Sequence, residues 1–122
     1  MNEEQKRRFK KLIQTLANDI LVEIKKHFEE TDVPAPWMHD SLDGDEVNAI
    51  KKIIVLDVYE SPFTKTHYKC DVKVILDGKK IAREFEPVDT LDSMDYRLNE
   101  ITGLNIYLYC IEVESEDFNP QF

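Results

Sequence analysis

Apolar residues recur at steps of three and four over the first thirty positions. Phe9, Leu12, Ile13, Leu16, Ile20, Ile24 and Phe28 form one stripe, which predicts a long amphipathic helix over residues 3–29. Asn2 stands where an N-cap acceptor is wanted, and Glu3 and Glu4 follow in the first turn, where the helix dipole favours acids. Lys25, Lys26 and His27 are expected to close the last turn with the complementary sign.

The periodicity stops at residues 30–46, where Pro34 and Pro36 favour an extended path and predict a long loop. Trp37 sits in its middle, either folded back as a plug for the core or presented as a binding anchor. Residues 50–59 are rich in β-branched side chains, and the run Ile53-Ile54-Val55-Leu56 is apolar on both faces, which predicts a central strand. After a turn at 60–65, residues 66–76 alternate. Tyr68, Cys70, Val72, Val74 and Leu76 face one way, and His67, Lys69, Asp71 and Lys73 face the other. Asp77-Gly78 signals a hairpin and predicts a returning strand over 80–87 with Ile81 and Phe85 inward.

Asp89 or Thr90 is the expected cap of a second helix with an apolar edge of Leu91, Met94, Leu98 and Ile101, stopped by Gly103. Residues 104–113 are apolar on both faces and predict a second central strand; 114–122 form an acidic tail. The expected fold is therefore a single α+β domain in the order α-β-β-β-α-β. A four-stranded mixed or antiparallel sheet carries both helices on one face, with the sheet and second helix spanning 47–113. The other face would be partly open, with Tyr107 and Tyr109 on it.

Size and composition agree with this reading. The 122 residues are 42% hydrophobic and 10% aromatic, which is enough for one core despite a charged share of 34%. No apolar run approaches a membrane span, and the amphipathic, basic start lacks the apolar core of a secretory signal. With two cysteines forty positions apart, Cys70 and Cys110, the expectation is a cytoplasmic protein with free thiols. The basic start, Lys6-Arg7-Arg8-x-Lys10-Lys11, reads as a solvated helix face.

Charge narrows the function classes. The formal net charge is −9; residues 1–83 sum to zero and the last 39 residues carry the whole excess. Such a field repels nucleic acid and anionic membrane and attracts a basic partner.

Most enzymatic motifs are missing. Aligning Gly44 to the sixth position of a calcium loop puts His39 and Ile50 at the outer ligand positions, where oxygen donors are required. His67 and Cys70 would lie about 10 Å apart on opposite faces of a strand. The three glycines, Gly44, Gly78 and Gly103, are too far apart for a phosphate loop, and no nucleophile elbow is present. No metal or cofactor is expected.

One arrangement carries chemistry. Asp57 on the first strand followed by Asp71-x-Lys73 on the next is similar to the metal-dependent PD-(D/E)xK nucleases, whose core has a comparable element order. The resemblance implies two carboxylates holding Mg²⁺, Lys73 orienting the attacking water, and Glu23 as the helix acid. Leu56 stands where the family has a proline, and Asp-x-Lys falls on the second strand where the family uses the third.

The leading expectation is a small acidic binding protein that neutralises a basic protein partner, such as an immunity protein against a nuclease toxin, and has no catalytic residues. Candidate anchors are Trp37, Phe63, Tyr107, Tyr109 and Phe118. Candidate steering acids are Glu112, Glu114, Glu116 and Asp117. The other readings are the Mg²⁺ nuclease, with Asp57, Asp71 and Lys73 as its site, and an acidic chaperone or adaptor that takes a polypeptide on the open sheet or forms a homodimer.

Overall fold

In the computed structural model, residues 1–78 and 87–116 are described. Helix α1 spans Glu3–Thr31. Asn2 and Gln5 form a reciprocal capping box: the Asn2 side chain accepts the Gln5 N–H at 2.8 Å, and the Gln5 side chain accepts the Asn2 N–H at 3.1 Å. The helix runs two residues further than the expected end at residue 29. Its last turn therefore holds no base, and Lys25, Lys26 and His27 do not close it. Asp32 ends it instead, in the left-handed region at φ 62°, with its N–H donated to the Phe28 carbonyl. The buried face is Ile13, Ala17, Ile20, Leu21, Ile24 and Phe28. Leu12, expected in the stripe, is half exposed.

A short helix, α2 (Gly44–Ala49), interrupts the connection expected to be all loop, with the Asp43 carboxylate accepting the Asp45 N–H at 2.9 Å. Six residues are too few to show a helical period, so only the cap betrays it. Strands β1 (Ile50–Glu60) and β2 (His67–Asp77) follow, then helix α3 (Val88–Thr102) and strand β3 (Asn105–Glu116). Pro87 occupies the N-cap of α3 without a side-chain bond, so neither Asp89 nor Thr90 caps it; Gly103 ends it at φ 71° as expected.

The described sheet has three strands in the order β1-β2-β3, with β1 antiparallel and β3 parallel to β2. This corrects the expected topology. In the described sheet both edges of β2 are taken, one by β1 and the other by the distant β3. The expected strand 80–87, with Ile81 and Phe85, lies outside the described residues apart from Pro87. Strands β1 and β3, expected to be central, flank β2 in the described sheet. The apolar run in β1 misled because a register shift falls between Val55 and Asp57. That irregularity sets Leu56 aside, partly exposed, while Ile53 and Val55 point into the core.

Helix α1 packs on β1, α3 packs on β3, and the two helices touch each other over one face of the sheet. Ile53, Val55, Val58, Cys70, Val72, Val74, Ile106 and Leu108 meet the helices in a continuous core. Both helices also cap sheet edges. Gln14 and Asn18 of α1 exchange hydrogen bonds with Ile53 and Val55, the Asn18 amide giving and taking at 2.9 Å. Asp95 and Asn99 of α3 accept the N–H groups of Leu108 and Ile106 at 2.8 and 2.6 Å. Each pair is spaced i, i+4, so both side chains of a pair lie on one face of their helix and mimic a neighbouring strand.

Candidate functional site

With the helices on one face, strand alternation brings a second set of residues onto the other. The register arranges them in rows across the three strands. Tyr59, Lys69 and Tyr107 form the first row, and Asp57, Asp71 and Tyr109 the second. Ile54, Lys73 and Glu112 form the third, and Lys52, Ile75 and Glu114 the fourth. Tyr59, Tyr109 and Tyr107 are 46%, 54% and 67% exposed. A shallow groove of about 410 Å³ opens beside them, walled by the three tyrosines, Pro62 and His67.

The charges of this face are mostly matched. Lys6, reaching from the start of α1, lies 2.8 Å from Asp57 and 5.5 Å from the centre of the Tyr59 ring. Hydrogen bonding from Lys6, then from the Val58 N–H, holds the Asp57 carboxyl below its ordinary range. The Asp57 carboxylate in turn raises the pKa of the Tyr59 phenol. Lys73 sits between Glu112, at 3.6 Å, and Glu114, and Glu114 before all else raises its pKa. Lys51 pairs with Glu116 at 2.6 Å, which lowers the Glu116 carboxyl.

Asp71 differs from its neighbours. It is only 9% exposed, and its Oδ1 is buried without a hydrogen bond among the described residues. The Lys69 ammonium stands 3.4 Å from that oxygen, within ion-pair range but outside good hydrogen-bond geometry. Lys69 also lies 4.6 Å from the centre of the Tyr109 ring and 5.7 Å from that of Tyr59.

The expected site residues are only partly brought together. Tyr107 and Tyr109 share the open face with Glu112, Glu114 and Glu116, but those acids pair with lysines of β1 and β2. Position in sequence misled here: the C-terminal acids pair in space with bases from the neutral part of the chain. Trp37 lies with the helical layer instead. It is half buried against the core, with the Arg97 guanidinium 5.7 Å from its ring and Arg97 in turn 3.0 Å from Glu23. Phe63 projects from the turn between β1 and β2 and is 92% exposed. Asp117 and Phe118 lie outside the described residues.

Asp57, Asp71 and Lys73 do meet, in adjacent rows of the open face. Glu23 does not join them, being paired with Arg97 on the helical side. Among the described residues no group of three or more histidine, cysteine or carboxylate side chains is placed to hold a metal ion. No described helix is long and apolar enough to cross a membrane.

Sequence reasoning missed Tyr59 and Lys69 as site residues, although strand alternation already put Lys69 on the open face. It also missed the edge caps Gln14, Asn18, Asp95 and Asn99, whose i, i+4 spacing beside an apolar stripe is the signal that identifies them. Comparison with family models, curated proteins and solved structures found no match.

Proposed function

We propose that this protein is a non-catalytic binding protein that takes a basic protein partner on the open face of its sheet and neutralises it, as an immunity protein does a nuclease toxin. The observation that carries this reading is the tyrosine cluster of that face, with Tyr59, Tyr107 and Tyr109 exposed in adjacent rows beside a shallow groove. Tyrosine supplies large contact area at low entropy cost and is enriched among residues that dominate binding energy. The net charge of −9 favours a cationic partner and disfavours a polyanion. Since Glu112, Glu114 and Glu116 are paired, the field of the whole chain supplies the steering, and the tyrosines supply the anchoring.

The test is affinity capture from the source organism with the immobilised full chain, followed by identification of what is retained. The expected result is near-stoichiometric retention of a basic protein, released as salt rises. Retention of nucleic acid, or of no basic protein, contradicts the reading.

A second reading is favoured by the adjacency of Asp57, Asp71 and Lys73. As a Mg²⁺ nuclease, the protein would cut DNA or RNA in Mg²⁺ or Mn²⁺, and Lys73→Ala would abolish cleavage without unfolding it. The ion pairs of Asp57 with Lys6 and of Lys73 with two glutamates favour the binding reading, which predicts no turnover.

A further inference from the structure

We infer that the open face contains a recognition site for an arginine side chain of the partner, formed by the Asp71 carboxylate and the rings of Tyr59 and Tyr109, and that Lys69 occupies this site in the free protein. The inference rests on the binding reading above and specifies the chemistry of the ligand.

Asp71 is the buried acid of the face. Asp57 pairs with Lys6 at 2.8 Å and is partly exposed, whereas Asp71 is only 9% exposed and its buried Oδ1 has the Lys69 ammonium at 3.4 Å but no hydrogen bond among the described residues. A buried carboxylate oxygen in that condition is costly, so a partner that supplies donors gains from it. The surroundings select a cation. Lys69 places its ammonium 3.4 Å from Asp71 and over two ring faces, at 4.6 Å from Tyr109 and 5.7 Å from Tyr59. One carboxylate and two aromatic faces around one cation make a cation-binding site.

Lys69 fills it imperfectly. It is tethered two residues from Asp71 on the same strand, and its side chain remains about half exposed. A lysine ammonium is a point charge on a flexible stem, free to swing into water. A guanidinium arriving from outside is planar, stacks on a tyrosine ring, and donates two parallel N–H groups to one carboxylate. The adjoining groove beside Tyr107, Pro62 and His67 gives room for the residues flanking that arginine.

The test is titration of the ¹⁵N-labelled full chain with the tripeptide acetyl-Gly-Arg-Gly-amide, followed by amide chemical shifts. Saturable shifts are expected at residues 57–59, 69–71 and 107–109. Lys69→Gln, which removes the resident cation, should tighten binding by on the order of fivefold, because the site no longer has to be vacated before the ligand enters. Asp71→Asn should abolish the saturable shifts, and the citrulline tripeptide should produce none. Absence of saturable shifts at these positions, or binding by Asp71→Asn equal to the wild type, overturns the inference. If Lys69→Gln proves unfolded in its amide spectrum, the comparison of wild type with Asp71→Asn decides alone. Capture of a basic partner that depends on Tyr107 and Tyr109 but is indifferent to Asp71→Asn keeps the binding reading and rejects the arginine site. Capture indifferent to every open-face substitution rejects the binding reading, and the tripeptide result then stands separately.

Discussion

The carboxyl of Asp95, on α3, accepts the backbone N–H of Leu108, on β3, at 2.8 Å inside the protein. Burial pushes its pKa up to about 8, against the pull of the Leu108 N–H and with a smaller push from Asp92. The folded state therefore holds a proton on Asp95 over a range where the unfolded chain has lost it. Since the folded pKa lies above the ordinary carboxyl value of 3.8, this group makes the protein progressively less stable as pH rises from about 4 to about 8, and adds no slope above that. Asp95→Asn keeps an acceptor for Leu108 and cannot ionise. Its stability should match the wild type near pH 4 and exceed it at pH 8. Urea unfolding of both proteins across that range measures the difference. A constant difference would place the ionisation of Asp95 elsewhere.

The opposite edge of the sheet makes a second prediction. Gln14 and Asn18 satisfy the backbone of Ile53 and Val55 where β1 has no neighbouring strand among the described residues. Gln14→Ala leaves the Val55 N–H unpaired, and Asn18→Ala leaves the Ile53 N–H unpaired. Each should lower the unfolding free energy by about 1–3 kcal/mol, the cost of a buried unsatisfied backbone group. The double variant also uncovers a strand edge, so it should elute from size exclusion as a larger, concentration-dependent species. Full stability in both single variants would remove the capping role.

The two thiols should be inert in the native protein. Cys70 is buried, with its pKa pushed to about 12 by desolvation and then by the negative charges of Asp95 and Asp71. Cys110 is half buried, and its thiol is also raised by desolvation. A thiol reagent at pH 8 should label the folded protein slowly and the denatured protein at both positions at once. Thermal unfolding should be the same with and without reductant. Rapid native labelling of Cys70 would contradict its burial.

Much of the fold was legible because local signals and burial agreed. The stripe of α1, its Asn2 cap and the Gly103 stop of α3 each rest on interactions within a turn or two. The alternation of β2 put Tyr68, Cys70, Val72, Val74 and Leu76 on the core side and His67, Lys69, Asp71 and Lys73 on the other, as the register has them. The sheet order was not legible. A strand followed by Asp77-Gly78 looks like half of a hairpin, yet both edges of β2 go to β1 and to the distant β3, and pairing across that separation leaves no local trace. Side-chain partners were equally hidden. Glu112 and Glu114 read as free acids, and only the register shows Lys73 beside them. Tyr107 and Tyr109 could be placed on an open face from the sequence. The cluster of Tyr59, Lys69 and Asp71 needed the three-strand register to become visible.

The open face is the proposed binding surface, and one comparison tests that assignment most directly. The captured partner is titrated against the wild type, against Tyr107→Ala with Tyr109→Ala, and against Trp37→Ala. The tyrosines are exposed on the sheet, so their loss should leave the melting temperature within a few degrees and weaken binding by at least a hundredfold, about 2.7 kcal/mol at two anchor positions. Trp37 packs against the core, so Trp37→Ala should lower the melting temperature and leave the affinity of the folded fraction unchanged. Undiminished affinity in the double tyrosine variant, or affinity lost in folded Trp37→Ala, would contradict the account and move the binding surface off the sheet.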